Sequence, residues 1–232
     1  MDLVRRLEAD ELMDTESLSL PVMLKTLQFL ELTNTYFGGR AVVLRHFNDW
    51  ARRWRPGEKI RVLDVGTGLA DLPRALVKWG RRRNFEFEIR ALDMVPEIAD
   101  LAREACSDYP EITVQCGDVR NLGAETFDYV LASLFLHHIP PLENAKTLKL
   151  FDSLSGRGFL VSDLHRSPTG YAGVWLLSHL LGNRIVRHDG PVSVRRAFTI
   201  RELQDLASEA GLPYLKARLE PFFRLSLSGE KV

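Results

Sequence analysis

The sequence predicts an α/β protein in which a mostly parallel sheet is covered by helices on both faces and ends in an antiparallel hairpin. Three observations point there. From Lys59 onward, short apolar runs alternate with stretches of helical periodicity. A glycine-rich turn, Gly66-Thr67-Gly68, follows directly on the first of these runs, where an open parallel sheet brings backbone close to a ligand. The chain closes on two alternating segments joined through Pro221, near enough in sequence to pair with each other.

The elements follow in order. Residues 2–54 read as helices, because Leu20, Met23, Leu24, Leu27, Phe29 and Leu30 recur at near-helical spacing, as do Val42, Val43, Leu44, Phe47 and Trp50. The glycines of "YFGG" break the two segments at Gly38-Gly39, and Pro56-Gly57 ends the helical region. Residues 1–56 are therefore expected to form a helical cap and residues 57–232 the main domain. "KIRVLDV" is the first strand, with a helix from about Leu72 to Gly80. "FEFEIRALD" alternates at period two, and a helix follows at about Pro96–Cys106. "ITVQC", "FDYVLASL" and "GFLVSD" are the third, fourth and fifth strands, with helix from about Leu142 to Leu154 between the last two. Residues 165–198 form an insertion holding the apolar helical segment "GYAGVWLLSHLLG" and then "NRIVRHDGPVSVRRAF". A long connection at the carboxyl end of a parallel strand tends to be a functional lid. Thr199 with Glu202 three residues on signals the start of a last helix, which Gly211 stops. "YLKARLE" and "FFRLSLS" complete seven strands.

Composition narrows the function classes. The chain has 232 residues, 45% hydrophobic and 27% charged, enough for a sizeable core. Acidic and basic residues balance at 31 each, which argues against a nucleic-acid partner. The basic runs at Arg52-Arg53-Trp54-Arg55 and Arg81-Arg82-Arg83 read as solvated helix ends or loops. Cys106 and Cys116 cannot build a disulfide framework and lack CxxC spacing, so a reducing compartment fits. The N-terminus is charged throughout and the longest apolar stretch is too short for a bilayer, so a cytoplasmic location and no membrane partner are expected.

The ligand of the glycine turn can be narrowed from its neighbours. A dinucleotide fingerprint would place a third glycine where this chain has Asp71, whose carboxylate would repel a pyrophosphate. A P-loop is excluded because no Gly-Lys-Ser/Thr follows. Asp64, two residues before the first glycine, suits a ligand bearing an ammonium or sulfonium. "LDVGTGLAD" resembles motif I of class I S-adenosylmethionine-dependent methyltransferases, and the resemblance runs from about Ile60 to the C-terminus. It implies a three-layer Rossmann-like methyltransferase sheet of seven strands, with Asp64, Gly66, Thr67 and Gly68 at the cofactor. By the same resemblance Asp93 in "RALDMVPE" would hold both ribose hydroxyls and Met94 would pack on the adenine. Asp118 in "CGDVRNL", flanked by Gly117 and Val119, would receive the adenine amino group. "FDYVLASLFLHHI" resembles the small-molecule branch near ubiquinone and menaquinone methyltransferases, with Ser133 and Leu134 giving backbone contacts to the methionine part. Two departures are Ala70 in place of the third motif glycine and a longer connection, "WGRRRNFEFE", between Asp64 and Asp93. Tyr36 is expected near the cofactor and Arg40 near its carboxylate.

Methyl transfer to a hydroxyl needs a base as well as positioning. His138, His165 and His188 are the candidates, His138 and His165 because they follow the carboxyl ends of adjacent strands. His137 lies beside them. Arg187, Arg195 and Arg196 would either hold an acidic or phenolate group or pair with Asp189 and Glu202, and Trp175 would roof an apolar pocket. The chain lacks the Asn/Asp-Pro-Pro-aromatic motif of DNA amino-methyltransferases and the paired-Glu loop of arginine methyltransferases. No catechol-type magnesium set stands out, so no metal is expected. The resulting expectation is methylation of a small aromatic or polyketide-like acceptor, on oxygen rather than carbon. The alternatives are a quinone-precursor C-methyltransferase, a cofactor-binding protein without turnover, and an RNA-modifying enzyme. A homodimer is compatible with the sequence.

Overall fold

The computed structural model describes residues 3–231. Residues 3–11 form no helix, contrary to the expectation for this stretch. Asp2, which that expectation also covered, lies outside the described residues. The segment has no apolar period to bury, and its backbone bonds elsewhere: the Leu7 N–H donates to the carbonyl of Arg195 at 2.9 Å. Three helices then follow, α1 (Leu12–Thr15), α2 (Leu20–Tyr36) and α3 (Gly39–Trp50). Gly38 makes the sharp break between the last two at φ 86°.

The alternation predicted beyond Lys59 is present. It comprises β1 (Lys59–Val65), α4 (Asp71–Arg81), β2 (Glu86–Asp93), α5 (Pro96–Ala105), β3 (Ile112–Cys116), β4 (Phe127–Ser133), α6 (Asn144–Leu154) and β5 (Ser155–Leu164). Pro140-Pro141 delays α6 by two residues, turning the expected first turn into a 3-10 turn at Pro141–Glu143. The insertion folds as two helices, α7 (Pro168–Leu181) and α8 (Arg184–Arg196). The capping box read at Thr199 and Glu202 opens α9 (Ile200–Glu209). The hairpin β6 (Lys216–Glu220) and β7 (Arg224–Glu230) ends the chain.

The seven strands run in the order β3-β2-β1-β4-β5-β7-β6. β1 to β5 pair in parallel, while β7 pairs antiparallel with both β5 and β6. The order reverses between β1 and β4, so a crevice opens there at the carboxyl ends of the strands. Successive residues point to opposite faces, and both faces are covered. Val62 and Tyr129 pack with Phe47, Trp50 and Trp54 on one side. Leu63 and Val130 pack with Phe151, Phe159 and Leu203 on the other. Trp50 stacks on Tyr129 with ring centroids 4.6 Å apart, and the Trp54 indole N–H donates to the Tyr129 hydroxyl at 2.8 Å. α3 is thus seated in the core of the sheet. α2 lies across the carboxyl ends of the strands, its Met23 and Leu27 buried against Leu69 and Ile98. No helix among the described residues is long and apolar enough to cross a membrane.

Candidate functional site

Two neighbouring features occupy the carboxyl edge of the sheet. The first is the glycine turn after β1. Its Gly66 and Thr67 N–H groups donate to the carbonyl of Leu92 at 2.9 and 3.0 Å, which anchors the turn to the end of β2. Gly66 sits at φ 69°, and a Cβ there would stand 2.7 Å from the Phe135 ring, so only glycine fits. Ala70 also adopts a left-handed conformation, φ 55°, just before α4. That is the position at which the resemblance would place a glycine.

The carboxylates of this turn are unusually dry. Asp64 is 3% exposed and receives one side-chain hydrogen bond, from the Thr67 hydroxyl at 2.6 Å. Burial pushes it up to about 8, and the nearby carboxylates of Asp71 and Asp93 add to the rise. Asp71, at the first turn of α4, is pushed by burial up to about 6 although Asn34 donates to it and Arg40 lies near. Asp93 accepts the N–H groups of Gly68 at 3.1 Å and Val95 at 3.2 Å, and burial still raises it above the usual carboxylate range. Gly117 donates to the carbonyl of Asp93 at 2.9 Å, which draws β3's end into the same group. Three partly or wholly desolvated carboxylates around one glycine turn form an acceptor set for a ligand carrying positive charge and hydroxyls. The Ser133 hydroxyl, at the end of β4, is buried without a hydrogen-bond partner. Leu134 follows it at φ 52°, its N–H bonded to the carbonyl of Ser162.

Other residues singled out in the sequence lie nearby in different settings. Met94 is 65% exposed and Tyr36 70% exposed. Asp118 spends its carboxylate on the backbone N–H and guanidinium of Arg120, capping the short turn that buries Val119. Arg40 pairs with Glu31 at 3.2 Å and approaches Asp71 at 3.6 Å, so it stands beside the turn through Asp71. The basic run at Arg81 faces away from this edge and pairs with Glu111.

The second feature is a cavity of about 340 Å³. Phe29 and Leu30 of α2, Leu177 of α7, Leu134 and the Phe222-Phe223 turn give it an apolar wall. Polar groups gather at one end. His137 is 2% exposed, and its Nδ1 lies 2.6 Å from Asp163. Burial alone would raise Asp163, yet His137 and two backbone N–H groups hold it below the ordinary range. His138 places Nδ1 2.9 Å from Asp14, which is likewise held low by His138 and Arg196 against its burial. An ionised carboxylate only accepts, so both imidazoles carry a proton on Nδ1, and Nε2 is the atom that each turns to the cavity's polar end. Both Nε2 atoms face Glu11, at 3.6 Å from His137 and 4.0 Å from His138. Glu11 is 5% exposed, and burial pushes it up to about 7. Arg224 also lines the cavity. Burial lowers it to about 10, and its Nη1 has no hydrogen-bond partner.

The extended N-terminal segment carries Glu11 into this place. Asp189 accepts the N–H groups of Leu12 at 2.8 Å and Met13 at 3.0 Å. Arg196 donates to the carbonyls of Ala9, His137 and His138 at 3.0, 3.2 and 3.1 Å. Arg166 reaches the carbonyl of Leu3 at 3.0 Å and pairs with Glu202. Neither sequence reading describes this: Asp189 and Arg196 clamp the strap and the His137-His138 turn, while Arg187 donates to the carbonyl of Gly182. Among the three histidines expected as bases, His138 lines the cavity, and His165 and His188 do not. His165 bonds through its N–H to the carbonyl of Phe223, and His188 turns to Asp189 at 2.8 Å. Glu11, Asp14, Asp163 and Arg224 were not foreseen. Only Asp163, at the end of the fifth strand, stood where strand order would have drawn attention to it.

Residues 62–158 match the family model for a methyltransferase domain. No curated protein matches the chain by sequence. Solved structures share its fold. The plantazolicin methyltransferase BpumL in complex with SAH aligns with a TM-score of 0.67 at 12% identity, over 92% of this chain and 95% of that one. The C-methyltransferase domain of citrinin polyketide synthase aligns at 0.62 and 12% identity, over 85% of this chain and 55% of its own. An S-adenosylmethionine-dependent methyltransferase from Aquifex aeolicus aligns at 0.59 and 18% identity, over 93% of this chain and all 100% of its own.

Proposed function

We propose, from the premise that this chain carries a methyltransferase domain in the class I S-adenosylmethionine-dependent fold, that it methylates a small, mostly apolar aromatic or polyketide-like acceptor on oxygen. The observation that carries this reading is the pairing of a carboxylate-lined glycine turn with a neighbouring, mostly apolar cavity that has a few polar groups in its lining. In this reading the cap is residues 1–56, the cofactor domain residues 57–232 and the lid residues 165–198.

S-adenosylmethionine supplies, when bound, a methyl group already activated on a sulfonium. The protein's own work is placement and proton handling. Asp93 is oriented by Gly68 and Val95 and keeps lone pairs free for the ribose hydroxyls. Asp64 and Asp71 put negative charge beside the amino-acid part, and the Ser133–Leu134 backbone borders the reacting end. Phe29, Leu177 and Phe223 exclude water from an acceptor ring. Arg224 offers its free Nη1 to an acceptor oxygen, and Nε2 of His138 is the nearest lone pair suited to take the hydroxyl proton.

The test is transfer of label from S-adenosylmethionine to a panel of phenols and enolisable polyketides, with products identified by mass spectrometry and NMR. Methyl ethers are expected, with His138→Gln lowering kcat by about 10²–10⁴ at unchanged cofactor affinity. C-methylated products would favour the quinone-precursor reading instead. Cofactor binding with no transfer to any acceptor would make the chain a binding protein.

A further inference from the structure

We propose that Glu11, His137 and His138 form a binding site for one divalent transition-metal ion at the polar end of the cavity. One ligand atom from each residue lies within 4.8 Å of the other two, and the set is two imidazoles and one carboxylate. Such a mixed nitrogen and oxygen set suits zinc, iron, cobalt or manganese rather than magnesium, and it leaves positions open to other ligands.

Four features of the geometry point to a cation. First, Nδ1 of each imidazole is turned to Asp163 or Asp14, which leaves each Nε2 as the atom aimed at the Glu11 carboxylate. Two imidazole nitrogens and a carboxylate brought together in a buried place need protons or a metal cation between them. Second, Glu11 is 5% exposed and its Oε1 has no hydrogen-bond partner. Third, each imidazole is backed by a carboxylate on its far nitrogen, the arrangement that orients ligating histidines and raises their basicity. Fourth, Glu11 comes from a strap about 126 residues away in sequence from the histidines, held by Asp189 and Arg196. A surface ion pair would not require that much support.

The separations of 3.6 and 4.0 Å from Glu11 to the two Nε2 atoms are slightly wider than donors around one ion adopt. With metal–nitrogen bonds of about 2.0–2.1 Å, neighbouring ligands stand roughly 3–3.5 Å apart. These two contacts reach different oxygens of Glu11, and with the three ligand atoms within 4.8 Å of one another the side chains would have to draw closer to hold an ion. All three residues line the cavity, so the open positions face the acceptor space. The ion would take a hydroxyl or enol oxygen of the acceptor as its next ligand and ease the loss of its proton, and in the metal-bound site this would replace His138 as the base, because the Nε2 lone pair is then spent on the ion. That role rests on the methyl-transfer reading; metal binding itself does not. If it holds, it would replace the expectation, drawn from the absence of a catechol-type set, that no metal is held.

The experiment is calorimetric titration of the full-length, EDTA-stripped protein with zinc chloride and with cobalt chloride, magnesium chloride serving as control, without cofactor or acceptor. One zinc or cobalt ion per chain is expected at micromolar affinity or tighter, with no magnesium binding. The cobalt complex should show a visible absorption band from imidazole and carboxylate ligation. Glu11→Gln and His138→Ala should each weaken zinc by roughly tenfold or more, with unchanged far-UV circular dichroism. His138 is partly exposed, so its variant keeps the test open if Glu11→Gln loosens the strap. Absence of saturable zinc or cobalt binding, or binding that neither variant weakens, would overturn the proposal. A chain that binds zinc here yet methylates no acceptor would leave the site standing and remove only the reading of the preceding subsection.

Discussion

Asp64 is a carboxylate enclosed by protein, with one hydroxyl bonded to it and two more carboxylates close by, and its burial lifts it to about 8. In the unfolded chain an aspartate titrates near about 3.9. The folded protein therefore binds the proton more tightly, and raising the pH from roughly 4 to 8 destabilises the ligand-free fold. A ligand bearing an ammonium or sulfonium reverses the preference, since binding below pH 8 must expel that proton. Affinity for S-adenosylmethionine should rise between pH 6 and 8, by up to about tenfold per unit, and level off above. Asp71, raised to about 6, adds to the slope only at the acid end. Calorimetry at several pH values, in buffers of different ionisation enthalpy, checks this; Asp64→Asn should flatten the profile, and a flat wild-type profile would contradict the assignment. Asp64, Gly66 and Gly68 were legible in the sequence because a turn packs its chemistry into consecutive residues. Glu11 was not, because nothing local distinguishes it from the other charges of the N-terminal stretch. Its meaning comes from what lies across the fold.

The same contrast holds for elements. Helix and strand periods made α3, β1 to β5 and α9 readable, since each buries a regular stripe on the sheet. The strap of residues 3–11 has no such stripe. It is held by side chains of α8, Asp189 and Arg196 above all, and by Arg166 after β5. Asp189→Ala removes two charge-assisted bonds to the Leu12 and Met13 N–H groups, each worth about 1.5–3 kcal/mol. Amide exchange in the strap and α1 should accelerate by about two to four orders of magnitude, with β1, β4 and β5 unchanged. Exchange that quickens evenly through the molecule, or not at all, would show that the strap is not a separately docked unit. The insertion of residues 165–198 was legible from its length. That it would divide into α7 and α8 and grip the N-terminus was not, because Pro191 inside α8 obscures its helical pattern.

Across the whole molecule, the order β3-β2-β1-β4-β5-β7-β6 sets the carboxyl ends of β1 and β4 side by side at the point of reversal. The glycine turn, the Ser133–Leu134 step and the His137-His138 turn all fall at that edge because each directly follows a parallel strand. This much could be read from the chain, since strand alternation and strand ends are sequence properties. The cavity could not: its walls come from α2, α7 and the Phe222-Phe223 turn, joined only by folding. The central claim is that this edge holds S-adenosylmethionine, and the most direct test is calorimetric titration of the purified protein with S-adenosylmethionine, S-adenosylhomocysteine and NAD. Micromolar binding of both sulfur ligands, none of NAD, and a loss of about tenfold or more in Asp93→Ala is the predicted result. Binding of neither sulfur ligand, or binding that Asp93→Ala leaves untouched, would contradict it.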